Sequence, residues 1–61
     1  MLRITEYGAS MYGGYYANFN IETNHGEIIS RDGAHFDKLK DLRAWAKERG
    51  ADLKKTPRYD N

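Results

Sequence analysis

His25 and His35 are the two side chains whose ordinary pKa lies near neutrality, so acid–base chemistry at physiological pH would have to start from them. Glu27 or Asp32 could pair with either. The same groups could converge on a metal ion, but no ligand spacing supports that. No Ser-x-x-Lys, Gly-x-Ser-x-Gly or His-Glu-x-x-His pattern is present. The stretch from Gly8 to Gly14 is rich in glycine, yet it lacks the Lys-Ser/Thr pair and following helix of a phosphate-binding loop. There is no cysteine, which removes thiol nucleophiles. His25 falls in an expected turn and His35 at an expected helix start, where surface or capping roles suit both. The expectation is a protein that is not an enzyme, with no catalytic residue, metal site or cofactor.

The tyrosines carry more information. Tyr12, Tyr15 and Tyr16 cluster around the first expected hairpin, with Met11 beside them. Tyrosine offers a large, rigid contact area with a polar tip, and tyrosine, tryptophan, arginine and methionine are enriched at interface centres. Tyr7 and Tyr15 suit a core, and Tyr12 could close a loop. Tyr16 shares its strand face with Asn18 and Asn20, a mixed surface on which a partner could rest. Trp45 lies at the edge of a helical apolar stripe, with Arg49 one turn further on. Its ring suits the core, and a partner-facing role is the alternative. The binding candidates are therefore Tyr12, Tyr16, Asn18, Asn20, Trp45 and Arg49.

Charge supplies a second candidate set. The chain of 61 residues has a net charge of +1. That charge is uneven: residues 1–36 sum to −2 and residues 43–58 to +4. Lys47, Arg49, Lys54, Lys55 and Arg58 could touch phosphates, and a three-stranded sheet can read a DNA groove. Against this, Glu22 and Glu27 would repel a phosphate backbone, and the whole chain falls short of a strongly basic nucleic-acid binder. A solvated, charged tail explains the same residues.

These side chains need elements to position them. Leu2 to Tyr7 alternates as a first strand, with Leu2 and Ile4 on the core side. Tyr15 to Thr23 alternates most clearly, with Tyr15, Ala17, Phe19 and Ile21 on one face and Tyr16, Asn18, Asn20 and Glu22 on the other. Asn24-His25-Gly26 supplies a turn into a third strand over 27–31. Phe36, Leu39, Leu42, Trp45 and Ala46 then recur at helical spacing. This predicts a helix over 34–49, with Asp32 as N-cap and Gly50 as the residue that ends it. The tail 50–61 could add a short strand around 53–56, and its last residues are expected to fray.

The fold class expected is α+β: a three-stranded antiparallel meander packed against one C-terminal helix, in a single small domain. Its core would hold Leu2, Ile4, Ala17, Phe19, Ile21, one of Ile28 and Ile29, Phe36, Leu39, Leu42 and Ala46. A chain this short buries only about 60% of its unfolded surface, and its core supplies roughly 3–5 kcal/mol. Without disulfides, a partner or a second copy becomes an attractive source of further stability. No apolar run is long enough for a membrane span, and the first residues lack the pattern of a signal peptide. The absence of cysteine fits the cytoplasm. Small phage and mobile-element proteins share this general character, although no motif carries that association. The expected function is a protein-interaction module (an adaptor, an inhibitor or a self-associating subunit), with nucleic-acid binding as the alternative.

Overall fold

The computed structural model describes residues 1–60; Asn61, the end of the expected tail, lies outside the described residues. The chain runs β1 (Leu2–Ala9), β2 (Tyr15–Glu22), β3 (Ile28–Phe36), α1 (Leu39–Glu48), a 3-10 turn (Leu53–Lys55) and β4 (Arg58–Tyr59). The sheet order is β3-β2-β1-β4, antiparallel except for β4, which runs parallel to β1. One helix therefore packs on a mixed sheet of four strands, in the expected α+β class.

β2 sits at the centre because its alternation gives it a buried face, while its length serves two neighbours. Ala17 pairs with Tyr7 on one side and Ala34 on the other. These small side chains let α1 approach closely, and Ala17, Leu42 and Ala46 are all essentially inaccessible to solvent. Ile4 and Tyr7 complete the buried cluster, with Leu2, Tyr15, Phe19, Phe36, Leu39, Trp45, Ala51 and Leu53 packed around it.

Two bulges set the register. β1 inserts Thr5 between Ile4, opposite Phe19, and Glu6, opposite Asn18. An unbroken strand would place Ile4 and Glu6 on the same face. The extra residue turns Glu6 outward and Tyr7 inward, and the Thr5 hydroxyl donates to the Asn18 carbonyl at 3.1 Å. The second irregularity lies on β3, where Ser30 pairs with Ile21 and Ile28 with Glu22, leaving Ile29 as the extra residue.

β3 and α1 differ from their sequence-based bounds. The strand extends through Phe36 instead of ending near residue 31, and the helix begins at Leu39 instead of residue 34. Ladder pairing with the whole length of β2 outweighs the local helical signal of Ala34 to Phe36. Asp32 is consequently a strand residue: its carboxylate accepts the Gly33 N–H at 2.8 Å, while Lys38 takes the N-cap position without a side-chain bond. The helix end follows expectation. Gly50 has φ +71, its N–H donates to the Lys47 carbonyl at 3.1 Å, and the Ala51 N–H reaches back to Ala46 at 3.0 Å. This is the paired hydrogen-bond pattern of a Schellman turn.

The shortened helix changes the core. Ten residues of helix span about 15 Å, whereas the nine residues of β3 span about 30 Å. Ile28 pairs with Glu22 on the sheet face opposite α1, and Ile29 is the extra residue of the bulge; their surfaces are 47% and 67% exposed. The expected burial of one of them fails for that reason.

The tail is docked, and its strand lies at 58–59 instead of 53–56. The Tyr7 N–H donates to the Pro57 carbonyl at 3.1 Å, and Asp60 accepts the Ala9 N–H at 3.1 Å. Arg58 bonds Asp60 through Nε, at 3.0 Å to one carboxylate oxygen, and its guanidinium lies 5.8 Å from the Tyr7 ring centre. Gly8 makes this possible, because a Cβ there would overlap the backbone of Tyr59.

Two outcomes are expected. Leu42→Ala should destabilise the fold by about 2–5 kcal/mol, a large share of a small domain's total, as read by urea unfolding. Gly8→Ala should expel β4 and accelerate hydrogen exchange at the Tyr7 amide; unchanged exchange would contradict the close approach.

Candidate functional site

The face of the sheet opposite α1 is uncovered, and the pairing register arranges it in rows across β1, β2 and β3. Arg3, Asn20 and Arg31 form one row. Glu6, Asn18 and Gly33 form the next, followed by Gly8, Tyr16 and His35. Glu22 and Ile28 pair at the far end. β2 thus carries Tyr16, Asn18 and Asn20 down the middle of the face, as its alternation predicts. Tyr12 is 91% exposed in the loop beyond the Tyr16 end.

Hydrogen bonds hold the centre of this face in place. The Asn18 amide donates to Glu6 Oε1 at 2.9 Å, and the Tyr16 hydroxyl approaches Glu6 Oε2 at 3.4 Å. Gly33 leaves room beside them: a Cβ there would stand 3.0 Å from Asn18 Oδ1. His35 Nε2 lies 2.9 Å from the Gly13 carbonyl, an arrangement that requires the proton on Nε2 and ties the first hairpin loop to β3. Among the described residues, Arg3 and Arg31 make no ion pair. The face offers two guanidinium groups flanking an amide, a braced carboxylate and a half-buried phenol. It suits hydrogen-bonded and stacking recognition of a partner.

The remaining candidates lie elsewhere. Trp45 is on the helix side of the sheet, with its ring 5.4 Å from Phe19 and 5.3 Å from Phe36, both tilted. The Arg49 guanidinium sits 4.9 Å from the Trp45 ring centre, and Arg49 also pairs with Glu48 at 3.7 Å. Trp45 and Arg49 are thus separated from the Tyr16 surface by the sheet itself. Of the basic set, Arg58 is held by Asp60. Lys47 and Lys54 line a groove together with Arg43, and Lys55 lines a different cleft with Leu2, Ile4 and Thr23. His25 in the second hairpin turn and His35 near the end of β3 stand at opposite ends of a strand about 30 Å long, so the structure does not bring them together.

Sequence reasoning missed Arg31, Glu6 and His35 as members of the face. His35 was hidden because the strand is expected to end at residue 31, and Arg31 because the bulge at Ile29 sets the register of that strand. Glu6 was hidden because only the bulge turns it outward. A glycine and a β-branched threonine inside alternating segments, Gly33 and Thr5, were the available signals.

Partial desolvation raises the Tyr16 pKa above the ordinary tyrosine value of 10.0, and the neighbouring Glu6 charge and hydrogen bond raise it further. Tyr16 should therefore remain a neutral phenol in the range where an ordinary tyrosine ionises. Its stabilising contribution is fully present below the ordinary value and is lost as pH rises through the raised one. Absorbance titration of Glu6→Gln should show this tyrosine ionising at lower pH than in the parent; an identical titration would remove Glu6 as a cause.

No family model matches the chain, and no curated protein or solved structure is significantly similar to it, so the reading of the site rests on its geometry.

Proposed function

We propose that the protein is a non-enzymatic protein-interaction module whose uncovered sheet face is the interface, with a second copy of the chain as its first partner. One observation carries this reading: Tyr16, Asn18 and Asn20 share one rigid, uncovered face with Arg3 and Arg31. Tyrosine and arginine are enriched where proteins meet. The ends of the face add exposed apolar surface, Ile28 at one end and Met11 and Tyr12 near the other.

A two-fold interface must be complementary to itself. Here Arg3 and Arg31 lie in the row next to Glu6, so a two-fold partner can set arginine against glutamate. Three strands of eight or nine residues present roughly 14 by 26 Å in projection. Counted on both partners, the strands alone fall short of the roughly 1,200 Å² that specific complexes bury, so the interface must also use the exposed Ile28, Met11 and Tyr12. A cysteine-free domain of this size also gains stability from association.

Nucleic-acid binding is the second reading, and the row Arg3, Asn20, Arg31 favours it, since arginine and asparagine are the side chains that read base edges. Lys47 and Lys54, which would contact phosphates, line a groove on the helix side with Tyr7 and Ala46. The groups for bases and for phosphates therefore do not share a surface, and this reading ranks lower. No helix among the described residues is long and apolar enough to cross a membrane. The proposed setting is the cytoplasm, which rests on the cysteine-free composition.

The test is the solution mass over a concentration series, at low and physiological salt. The expected result is a reversible dimer that Arg31→Glu and Tyr16→Ala each weaken by roughly tenfold, with far-ultraviolet circular dichroism unchanged. A chain that stays monomeric at about 1 mM overturns the self-interface. Salt-sensitive binding of a DNA duplex that Arg31→Glu abolishes would favour the second reading instead.

A further inference from the structure

On the helix side of the molecule, a groove of about 550 Å³ runs between the last turns of α1 and the segment that follows Gly50. Its volume lies within the range of ligand-binding clefts. The buried rings and methyls of Tyr7 and Ala46, with half-buried Leu53, give it an apolar floor. Exposed Arg43, Lys47 and Lys54 give it cationic walls. Arg43 and Lys47 are one turn apart and so project from the same side of α1. The Schellman turn at Gly50 reverses the chain and brings Leu53 back to the core. Lys54 thereby joins Arg43 and Lys47 in lining the groove.

The charges of these three residues are free. The ion pairs among the described residues are Arg49 with Glu48 and Arg58 with Asp60, and neither involves Arg43, Lys47 or Lys54. Asp52 also borders the groove, but its Oδ1 accepts the Lys54 N–H at 3.0 Å and serves as the cap of the 3-10 turn. Three cations against one such carboxylate leave the groove positive. An aggregate of unpaired cations around an apolar floor is complementary to an occupant with the opposite arrangement, an apolar centre flanked by carboxylates.

We infer that this groove binds an acidic peptide segment of a partner protein, with one apolar side chain seated on Tyr7, Ala46 and Leu53 and flanking carboxylates held by Arg43, Lys47 and Lys54. A free phosphate or a nucleic-acid backbone would satisfy the walls but leave the floor unfilled. A purely apolar peptide would fill the floor and leave three cations without partners. The site lies on the side of the sheet opposite Arg31 and Tyr16, so it stands independently of the sheet-face interface.

The probe is a fluorescein-labelled short peptide with a Phe-Leu pair flanked by glutamates, titrated into the full chain and read by fluorescence anisotropy. Three comparison probes are the same peptide with lysines for glutamates, an oligoglutamate of equal length, and a short DNA duplex. Saturable binding of the acidic-apolar peptide is expected, with an affinity at least roughly tenfold above each comparison probe and falling with salt. The Lys47→Glu/Lys54→Glu pair should weaken it by roughly tenfold or more, and Arg31→Glu should leave it unchanged. The charge-neutral Lys47→Gln/Lys54→Gln pair should give the same direction with a smaller loss, and circular dichroism checks that each variant is folded. In amide correlation spectra, the peptide should shift Tyr7, Ala46 and Leu53. Absence of binding at about 1 mM, equal binding of oligoglutamate, tighter binding of DNA, or shifts centred on Arg31 and Tyr16 would each overturn the assignment.

Discussion

A helix about 15 Å long must close the core of a sheet whose third strand runs about 30 Å, and most of the architecture follows from that mismatch. The helix covers the part of the sheet where Ala17 and Ala34 keep the surface low, and Leu42 and Ala46 seat there. Trp45 widens the cover by tilting against Phe19 and Phe36. What lies beyond its reach stays exposed, the bulged Ile29 above all. One sheet face is therefore partly buried, and no element among the described residues packs over the other.

The sheet edges are treated differently. β1 is covered over Tyr7 and Gly8 by the two residues of β4, held by Asp60, Arg58 and the Pro57 carbonyl. This docking adds contacts to a domain with a small core, and it depends on the missing side chain of Gly8. Among the described residues, β3 has no strand neighbour on its outer side. Its edge is blunted by the extra residue Ile29, by the charges of Arg31 and Asp32, and by the Asp32 carboxylate on the Gly33 N–H. Bulges and charges of this kind discourage strand addition along an edge. That directs attention away from β3 as a template and toward the faces of the molecule.

The two faces differ chemically. The uncovered sheet face carries both signs of charge and is built of amide, guanidinium, phenol and carboxylate groups, held on strands. The groove on the helix side is positive, apolar at its floor, and assembled from a helix and a turn. One chain of 61 residues thereby presents two surfaces of distinct chemistry on opposite sides of a single sheet.

The alternation of Tyr15 to Glu22 was enough to place Tyr16, Asn18 and Asn20 together on an outward face, because a side-chain period of two is a property of any strand. The helical spacing of Leu39, Leu42 and Ala46, the glycine that ends the helix and the α+β class were legible for the same local reason. The extent of β3 was not, because Ala34 to Phe36 becomes strand only through pairing with β2, a contact between distant parts of the chain. The bulge at Thr5 decided which way Glu6 and Tyr7 point, and so added a carboxylate to the face and a ring to the core. The separation of Trp45 and Arg49 from Tyr16, and the meeting of Arg43, Lys47 and Lys54 around one groove, were likewise tertiary decisions. The sequence determined which side chains each element offers to each of its faces. Only the packing of one short helix on one side of the sheet decided which of those faces remained open and which charges came together.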